Sequence, residues 1–171
     1  MTASNSMIVG LGQKTDPNRI ALQTARKWDI PNARRQPRPP QAMMAAYRHH
    51  RNQGHLLLEL RSLRSDYDCV GLVFGCRRTW IDIDHIRQIL DDDGYRMIEL
   101  GHGERGDVVL YEDTSGPAHV GILWNRHALS NQWVVLSQWG SDGEYFHHIN
   151  DTPIEDWRQR ITIWTERQTT V

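Results

Sequence analysis

Residues 68–74 read Asp-Cys-Val-Gly-Leu-Val-Phe, and this stretch decides how the rest of the chain is interpreted. An acidic residue, a cysteine and a glycine stand in or just before an apolar run, which predicts that Cys69 occupies the first turn of a buried helix. The thiolate is the nucleophilic form of cysteine, and the partial positive charge at a helix N-terminus lowers the pKa of a thiol there. The pattern therefore predicts a reactive cysteine, with Asp68 as the helix cap.

A second block follows later in the chain. Residues 106–111 read Gly-Asp-Val-Val-Leu-Tyr, and residues 118–123 read Ala-His-Val-Gly-Ile-Leu. Short apolar runs next to turn residues predict two strands, with His119 near the start of the second. A cysteine on a helix and a histidine on a strand are the nucleophile and the base that thiol catalysis needs, because the imidazole can remove the thiol proton.

Together, these two blocks resemble the core of the NlpC-like papain-fold cysteine peptidases, a superfamily that includes bacterial cell-wall amidases. The resemblance covers about residues 67–148. It implies an α+β, papain-like core in which the helix that carries the nucleophile packs on a five- to six-stranded antiparallel sheet. It also implies a cysteine peptidase or amidase that acts on cell-wall peptides, with Cys69 and His119 as catalytic residues.

In the family, a polar residue on the next strand orients the catalytic histidine. Residues 133–139 form that strand here, and the match falls on Gln138 or on its neighbour Ser137. Successive side chains point to opposite faces of a strand, so only one of the two can face His119. Gln138 is preferred because its amide oxygen can accept a hydrogen bond from an imidazole nitrogen. Val70 departs from the pattern, since many cell-wall members have serine there.

Four residues that flank the predicted site are candidates for substrate binding: Tyr67, Asp68, Trp139 and His148. Trp139 borders a glycine-rich turn and is the best candidate for an aromatic residue at the rim of the groove. The nine histidines form no His-x3-His spacing and the cysteines no Cys-x2-Cys spacing, so neither a metal nor a cofactor is predicted.

The region before the nucleophile is predicted to be helical. Asp16-Pro17 precedes a capped helix over 18–28, and a second helix covers 41–53. The basic, proline-rich stretch at 34–38 is interpreted as a solvated connector, and the apolar run at 55–60 fits either a helix or a strand. The predicted domains are an N-terminal helical extension with its connector over 1–55, and a papain-like catalytic domain over 56–171.

Helical spacing extends the nucleophile helix as one buried stripe through Cys69, Leu72, Val73, Cys76 and Trp80. This stripe predicts that Cys76 is a core residue. Gly71 and Gly75 would let another backbone approach the helix, and the His119 strand is the expected neighbour. A further helix is predicted over 82–93. The predicted strands cover 95–100, 107–111, 118–124, 133–139, 144–148 and 160–165.

Charge and hydropathy exclude two classes of partner. The chain has 20 Lys and Arg residues against 21 Asp and Glu residues, a net charge of -1, which argues against a nucleic-acid reader. No apolar run is long enough to cross a bilayer, and the first residues lack the basic start and apolar core of a secretion signal. We therefore expect a cytoplasmic protein, or one exported by a route independent of a signal peptide. The oligomeric state stays open.

The sequence predicts a hydrolase that cleaves an amide bond in a peptide, such as a cell-wall fragment, through a thioester acyl-enzyme. Two alternatives stay open. A papain-fold binding module could have kept the scaffold and lost the chemistry, and a third position without histidine fits such a decayed site. An acyltransferase would use the same thioester with an acceptor other than water.

Overall fold

The computed structural model describes residues 16–54 and 58–168, which form three helices and seven strands. The helices are α1 (Pro40–Asn52), α2 (Cys69–Val73) and α3 (Ile86–Asp92). The strands are β1 (Leu58–Ser62), β2 (Arg96–Ile98), β3 (Val108–Asp113), β4 (Gly116–Arg126), β5 (Trp133–Gln138), β6 (Glu144–His148) and β7 (Arg160–Thr165). Short 3-10 turns cover Ile83–His85, Leu100–His102 and Glu155–Arg158. The α+β class is confirmed. Within the described residues, no helix is both long enough and apolar enough to cross a membrane.

The strands form one antiparallel sheet in the order β1-β6-β5-β4-β3-β7-β2. All six predicted strands are present, two of them (β6 and β7) with the predicted ends and the other four with shifted ends. The sheet is wider than predicted because β1, which comes from the undecided apolar run at 55–60, pairs with β6. The start of that run and the predicted domain boundary at residue 55 lie outside the described residues.

The two faces of the sheet bury different cores. Helices α2 and α3 cover one face, whose core includes Val70, Ile86, Ile89, Leu110 and Val120. The other face buries Val109, Tyr111, Leu123, Val135 and Ile163, with Trp157 packed against them. Because side chains alternate along a strand, Val120 faces the helices and His119 belongs to the opposite face.

Helix α2 begins at Cys69 as predicted, but it ends at Val73 instead of continuing to Trp80. The chain turns away at Cys76 and Arg77, whose φ angles of 51° and 60° are left-handed. Cys76 is exposed, so the prediction that it is a core residue is wrong. Helical spacing alone did not reveal this turn.

Gly71 lies where the chain returns against α2. A Cβ atom added at Gly71 would lie 1.8 Å from the carbonyl oxygen of Thr79, so the close approach involves this returning segment and not the His119 strand. The Asp68 carboxylate holds the same turn. It accepts a hydrogen bond from the Gly71 N–H at 2.7 Å and lies 3.2 Å from the Ile81 nitrogen. Asp68 is therefore the helix cap, as predicted.

Residues 18–28 do not form the predicted helix, whereas the helix predicted over 41–53 is confirmed as α1. The Asp16 side chain accepts a hydrogen bond from the Asn18 N–H at 2.9 Å, which makes a local turn in place of a helix cap. The chain then doubles back, and Gln23 forms a β-bridge with Asp29.

The basic stretch at 34–38 is exposed apart from the half-buried Arg38, as expected for a solvated connector, but two of its side chains also contact the domain. The Arg35 guanidinium carbon lies 4.2 Å from the centre of the Trp80 ring. Arg38 forms an ion pair with Asp142, in the turn between β5 and β6. Part of the N-terminal extension therefore forms a wall of the structure that holds Cys69.

Candidate active site

A cavity of about 570 Å³ is lined by Cys69 of α2, by Ala118 and His119 of β4, and by Gly140, which follows β5. The ladder between these strands begins at the pair Ile122–Leu136, so the first residues of β4 lie beside an opening in the sheet. Cys69 packs with the core under the helices and His119 stacks on Trp157 at the opposite face of the sheet, and both residues line this cavity. The structure thus brings the two predicted catalytic residues to one cavity.

Cys69 is the first residue of α2 and is half-buried in the cavity wall. Burial, followed by the charge of Asp68, raises the pKa of the Cys69 thiol to about 12. The backbone N–H groups of Val120 and Val70 act in the opposite direction but do not outweigh burial. A helix of five residues also contributes only a small dipole. The predicted low thiol pKa is therefore wrong for this conformation.

His119 is almost completely buried, with 1% of its surface exposed. Its ring stacks on Trp157, with 4.9 Å between the ring centres and 16° between the planes, and it packs against Tyr111 at 5.6 Å. Burial lowers the pKa of His119 to about 3, and His147 adds a smaller effect in the same direction. Among the described residues, the Nε2 atom of His119 has no hydrogen-bond partner.

The site therefore holds a neutral thiol and a neutral imidazole at pH 7, not an ion pair. Transfer of the proton from Cys69 to His119 is therefore strongly uphill in this arrangement, because burial disfavours the charged form of both groups. Burial shields His119 from water in this arrangement.

Ser137, and not Gln138, lies on the same face of the sheet as His119. A Cβ atom added at Gly121 would lie 3.0 Å from the Ser137 Cβ, and Gly121 shares its face of β4 with His119. Gln138 points to the opposite face, where its Nε2 donates hydrogen bonds to two backbone carbonyl oxygens at 2.9 Å. The preference for Gln138 as the residue that orients His119 is therefore wrong.

Ser137 is held by a buried histidine. Its Oγ lies 2.8 Å from Nε2 of His147 and accepts a hydrogen bond from the Trp139 Nε1 at 3.0 Å. Nδ1 of His147 lies 2.8 Å from the backbone carbonyl oxygen of His148 and must carry a proton to donate to it. The pair of Ser137 and His147 lies on the His119 face of the sheet.

Of the four predicted substrate-binding residues, the structure brings only Asp68 to the cavity. Tyr67 is buried, and its hydroxyl donates a hydrogen bond to Glu144 at 2.7 Å. Trp139 is 3% exposed, so it is not a rim aromatic. His148 is buried elsewhere on the sheet, where its ring packs against His127 at 4.9 Å.

Most of the residues that line the cavity were not predicted from the sequence, among them Arg35, Trp80 and Trp157. Trp157 belongs to the 3-10 turn between β6 and β7, and no local pattern connects that turn with Cys69. Arg35 lies in the basic stretch at 34–38, which is predicted to be a connector and not part of a site. In the described part of the chain, no three His, Cys, Asp or Glu side chains lie close enough together to hold a metal ion.

The chain was compared with protein-family models, curated proteins and solved structures, and none of the three comparisons gave a match. The resemblance to the NlpC-like peptidases therefore rests on the two motifs around Cys69 and His119. The shared cavity adds a spatial relation between these motifs that the sequence could only suggest.

Alkylation of Cys69 is expected to be slow at neutral pH. A thiol with a pKa of about 12 forms about 1000-fold less thiolate at pH 7 than one at the ordinary value of 9.0. A thiolate whose thiol has a higher pKa is also a stronger nucleophile, which offsets part of the lower thiolate fraction. We therefore expect alkylation about 50-fold slower than for a thiol with an unshifted pKa. The measurement is iodoacetamide labelling of the Cys76→Ser variant, read by mass spectrometry from pH 6 to pH 10.

The matched control is the Cys69→Ser variant, which leaves the exposed Cys76 as the single thiol. In the Cys76→Ser variant, the labelling rate should still be rising at pH 10. A rate that levels off below pH 8 would show that the Cys69 thiol ionises there, which would contradict the neutral state of Cys69 and His119.

Proposed function

We propose that the protein is a cysteine hydrolase of the NlpC-like papain-fold type that cleaves an amide bond. The observation that carries this proposal is the single cavity shared by Cys69, at the start of α2, and His119, on β4. A nucleophile at a helix start and a base on a neighbouring strand form the pair that thiol catalysis requires. The α+β architecture is compatible with the papain-like core that the motifs imply.

In the proposed reaction, His119 accepts the thiol proton as the sulfur of Cys69 attacks the amide carbonyl carbon. The carbon–nitrogen bond then breaks, and the amine leaves with the proton from His119. Water attacks the resulting thioester with His119 as base, which releases the acid and restores the thiol. The backbone N–H of Cys69, at the first position of the helix, is the proposed donor to the oxygen that becomes negative.

His119 must become a stronger base for this reaction. At the ordinary histidine pKa of 6.5, proton transfer from the thiol would be much less costly than at the lowered pKa of the buried ring. Burial is the main cause of the low pKa, and Trp157 is the ring stacked on His119. We therefore propose that substrate displaces Trp157 from His119 when it enters the cavity.

The substrate class that the resemblance implies is a peptide of the bacterial cell wall. A cavity of about 570 Å³ is large enough for a ligand of roughly dipeptide size. Apolar and aromatic side chains share its lining with charged ones, as is typical of ligand-binding cavities.

Replacement of Cys69 by alanine is expected to lower amide turnover by about three orders of magnitude or more, because the nucleophile is lost. The assay incubates the protein with purified wall peptides and with a panel of simple amides. The Cys76→Ala variant is the matched control, since its thiol is exposed and is not among the residues that line the cavity, and it should retain turnover. Equal turnover in the native protein and the Cys69→Ala variant would refute the hydrolase.

A specific observation favours the binding module as the second candidate. Both reactive groups are neutral, and His119 is almost fully buried. A binding module would bind peptides equally well with Cys69 or alanine at position 69 and would release no amine. The same panel, read by amine release and by peptide binding, separates the two functions.

A further inference from the structure

Arg35 and Trp80 form part of the wall of the cavity that Cys69 and His119 share. The indole ring supports the Arg35 cation, with 4.2 Å between the guanidinium carbon and the ring centre. The backbone nearby is held by two hydrogen bonds between Ala33 and Trp80, at 2.9 and 3.0 Å. Stacking and backbone pairing together hold the guanidinium in place before any ligand arrives.

The Arg35 charge is not neutralised by the residues that the structure describes. Within them, no carboxylate lies within 4.0 Å of Arg35 and no acceptor is hydrogen-bonded to its guanidinium, whereas the nearby Arg38 is paired with Asp142. Stacking on an indole occupies the face of a guanidinium and leaves its N–H groups available at the edge.

The acidic groups of the same cavity already have partners. Asp68 accepts hydrogen bonds from backbone N–H groups, among them that of Gly71. Asp82 accepts one from the backbone N–H of Asp84 at 3.1 Å. Burial raises the pKa of the Asp68 carboxyl to about 6, and the Arg35 charge acts in the opposite direction. The Arg35 charge therefore has an electrostatic effect at the end of the cavity that holds Cys69.

We propose that Arg35 binds a carboxylate on the substrate and so makes the protein specific for amides that carry one. This inference rests on the proposed function, because it names the substrate class of the same cavity. The planar guanidinium can donate two parallel hydrogen bonds to a carboxylate, which an amide group cannot accept in the same way. The carboxylate belongs either to the C-terminus of a short peptide or to an acidic side chain next to the scissile bond.

Binding to the full-length Cys69→Ala variant separates recognition from chemistry. Two matched pairs of probes test for the carboxylate: N-acetyl-Ala-Ala against N-acetyl-Ala-Ala amide for a C-terminal carboxylate, and N-acetyl-Glu-Ala amide against N-acetyl-Gln-Ala amide for one on the side chain. By calorimetric titration, at least one carboxylate probe is expected to bind about tenfold more tightly than its neutral partner. The pair with the larger preference identifies the source of the carboxylate.

The Arg35→Gln substitution in the same background is expected to remove this preference, and Arg35→Lys should retain part of it because the charge stays. Arg34→Gln is the matched control, since it removes the same charge from an exposed neighbour that does not line the cavity. Arg35 is exposed as well, so the substitution should leave the fold intact, which circular dichroism checks.

Equal affinity within both pairs of probes, no binding of any probe, or an equal loss in Arg34→Gln would overturn the inference. A failure of the proposed hydrolase function would give a different experimental result from a failure of this inference. Turnover without a carboxylate preference would overturn only the role of Arg35, and a carboxylate preference without turnover would overturn only the hydrolase.

Discussion

Truncation of Trp157 to alanine is expected to raise the pKa of His119 from about 3 towards the ordinary value of 6.5, and the full change would be about 3000-fold in proton affinity. The Trp157 ring lies flat on the imidazole with 4.9 Å between the ring centres, and both residues line the cavity. Without the indole, water from the cavity reaches His119 and solvates its charged form, which removes most of the desolvation that lowers the pKa. Titration of the His119 ring protons by NMR measures the shift.

The matched control is Trp164→Ala, which removes another half-buried tryptophan, but one that packs with the core under the helices. This variant should leave the His119 titration unchanged. A His119→Gln variant assigns the signal among the nine histidines. An unchanged titration in Trp157→Ala, or a native His119 that already titrates near 6.5, would contradict the shielding of the base by Trp157.

Gly71→Ala is expected to lower the free energy of unfolding by about 3 kcal/mol or more. In most helices this change is favourable, because alanine has the higher helix propensity. Here the new methyl group would lie 1.8 Å from the carbonyl oxygen of Thr79 and 3.0 Å from the Asp68 carboxylate. Because the obstacle is backbone, it cannot move aside as a flexible side chain could, so the returning chain or α2 must shift. Urea unfolding followed by circular dichroism gives the change.

Gly101→Ala is the matched control, since no heavy atom lies within 4 Å of the methyl group added there. This variant should be within about 1 kcal/mol of the native protein. A loss at Gly71 as small as that at Gly101 would show that residues 79–81 do not lie against α2. Because the same turn is held by Asp68, next to Cys69, Gly71→Ala should also disturb the proposed nucleophile.

The parts of the fold that follow from local patterns were predicted well. Alternating and apolar runs predicted six of the strands, and the helix at 41–53 was found as α1. The helix predicted at 18–28 failed because Asp16 makes a turn with Asn18, which competes with the helix cap that the same residue types suggest. The long nucleophile helix failed because helical spacing cannot reveal left-handed residues such as Cys76.

The candidate site likewise contains residues that local motifs predicted and residues that only the fold brings together. Cys69 and His119 were predicted because each lies in a short contiguous motif, and the structure places both at one cavity. The choice between Ser137 and Gln138 depends on which face of β5 points towards His119, which is a matter of strand register. Arg35 and Trp157 reach the cavity from segments distant in the chain, so no spacing rule could place them there.

The amino-acid sequence by itself determined the α+β class, most of the strands, the start of α2 at Cys69 and the cap at Asp68. These features depend on side-chain period and on residues close together in the chain. Only the tertiary structure decided that the thiol and the imidazole are neutral, because desolvation depends on which distant rings and strands surround a group. It also decided that the cation of Arg35 stands in the cavity wall, since the pairing of Ala33 with Trp80 joins segments that the chain itself keeps apart.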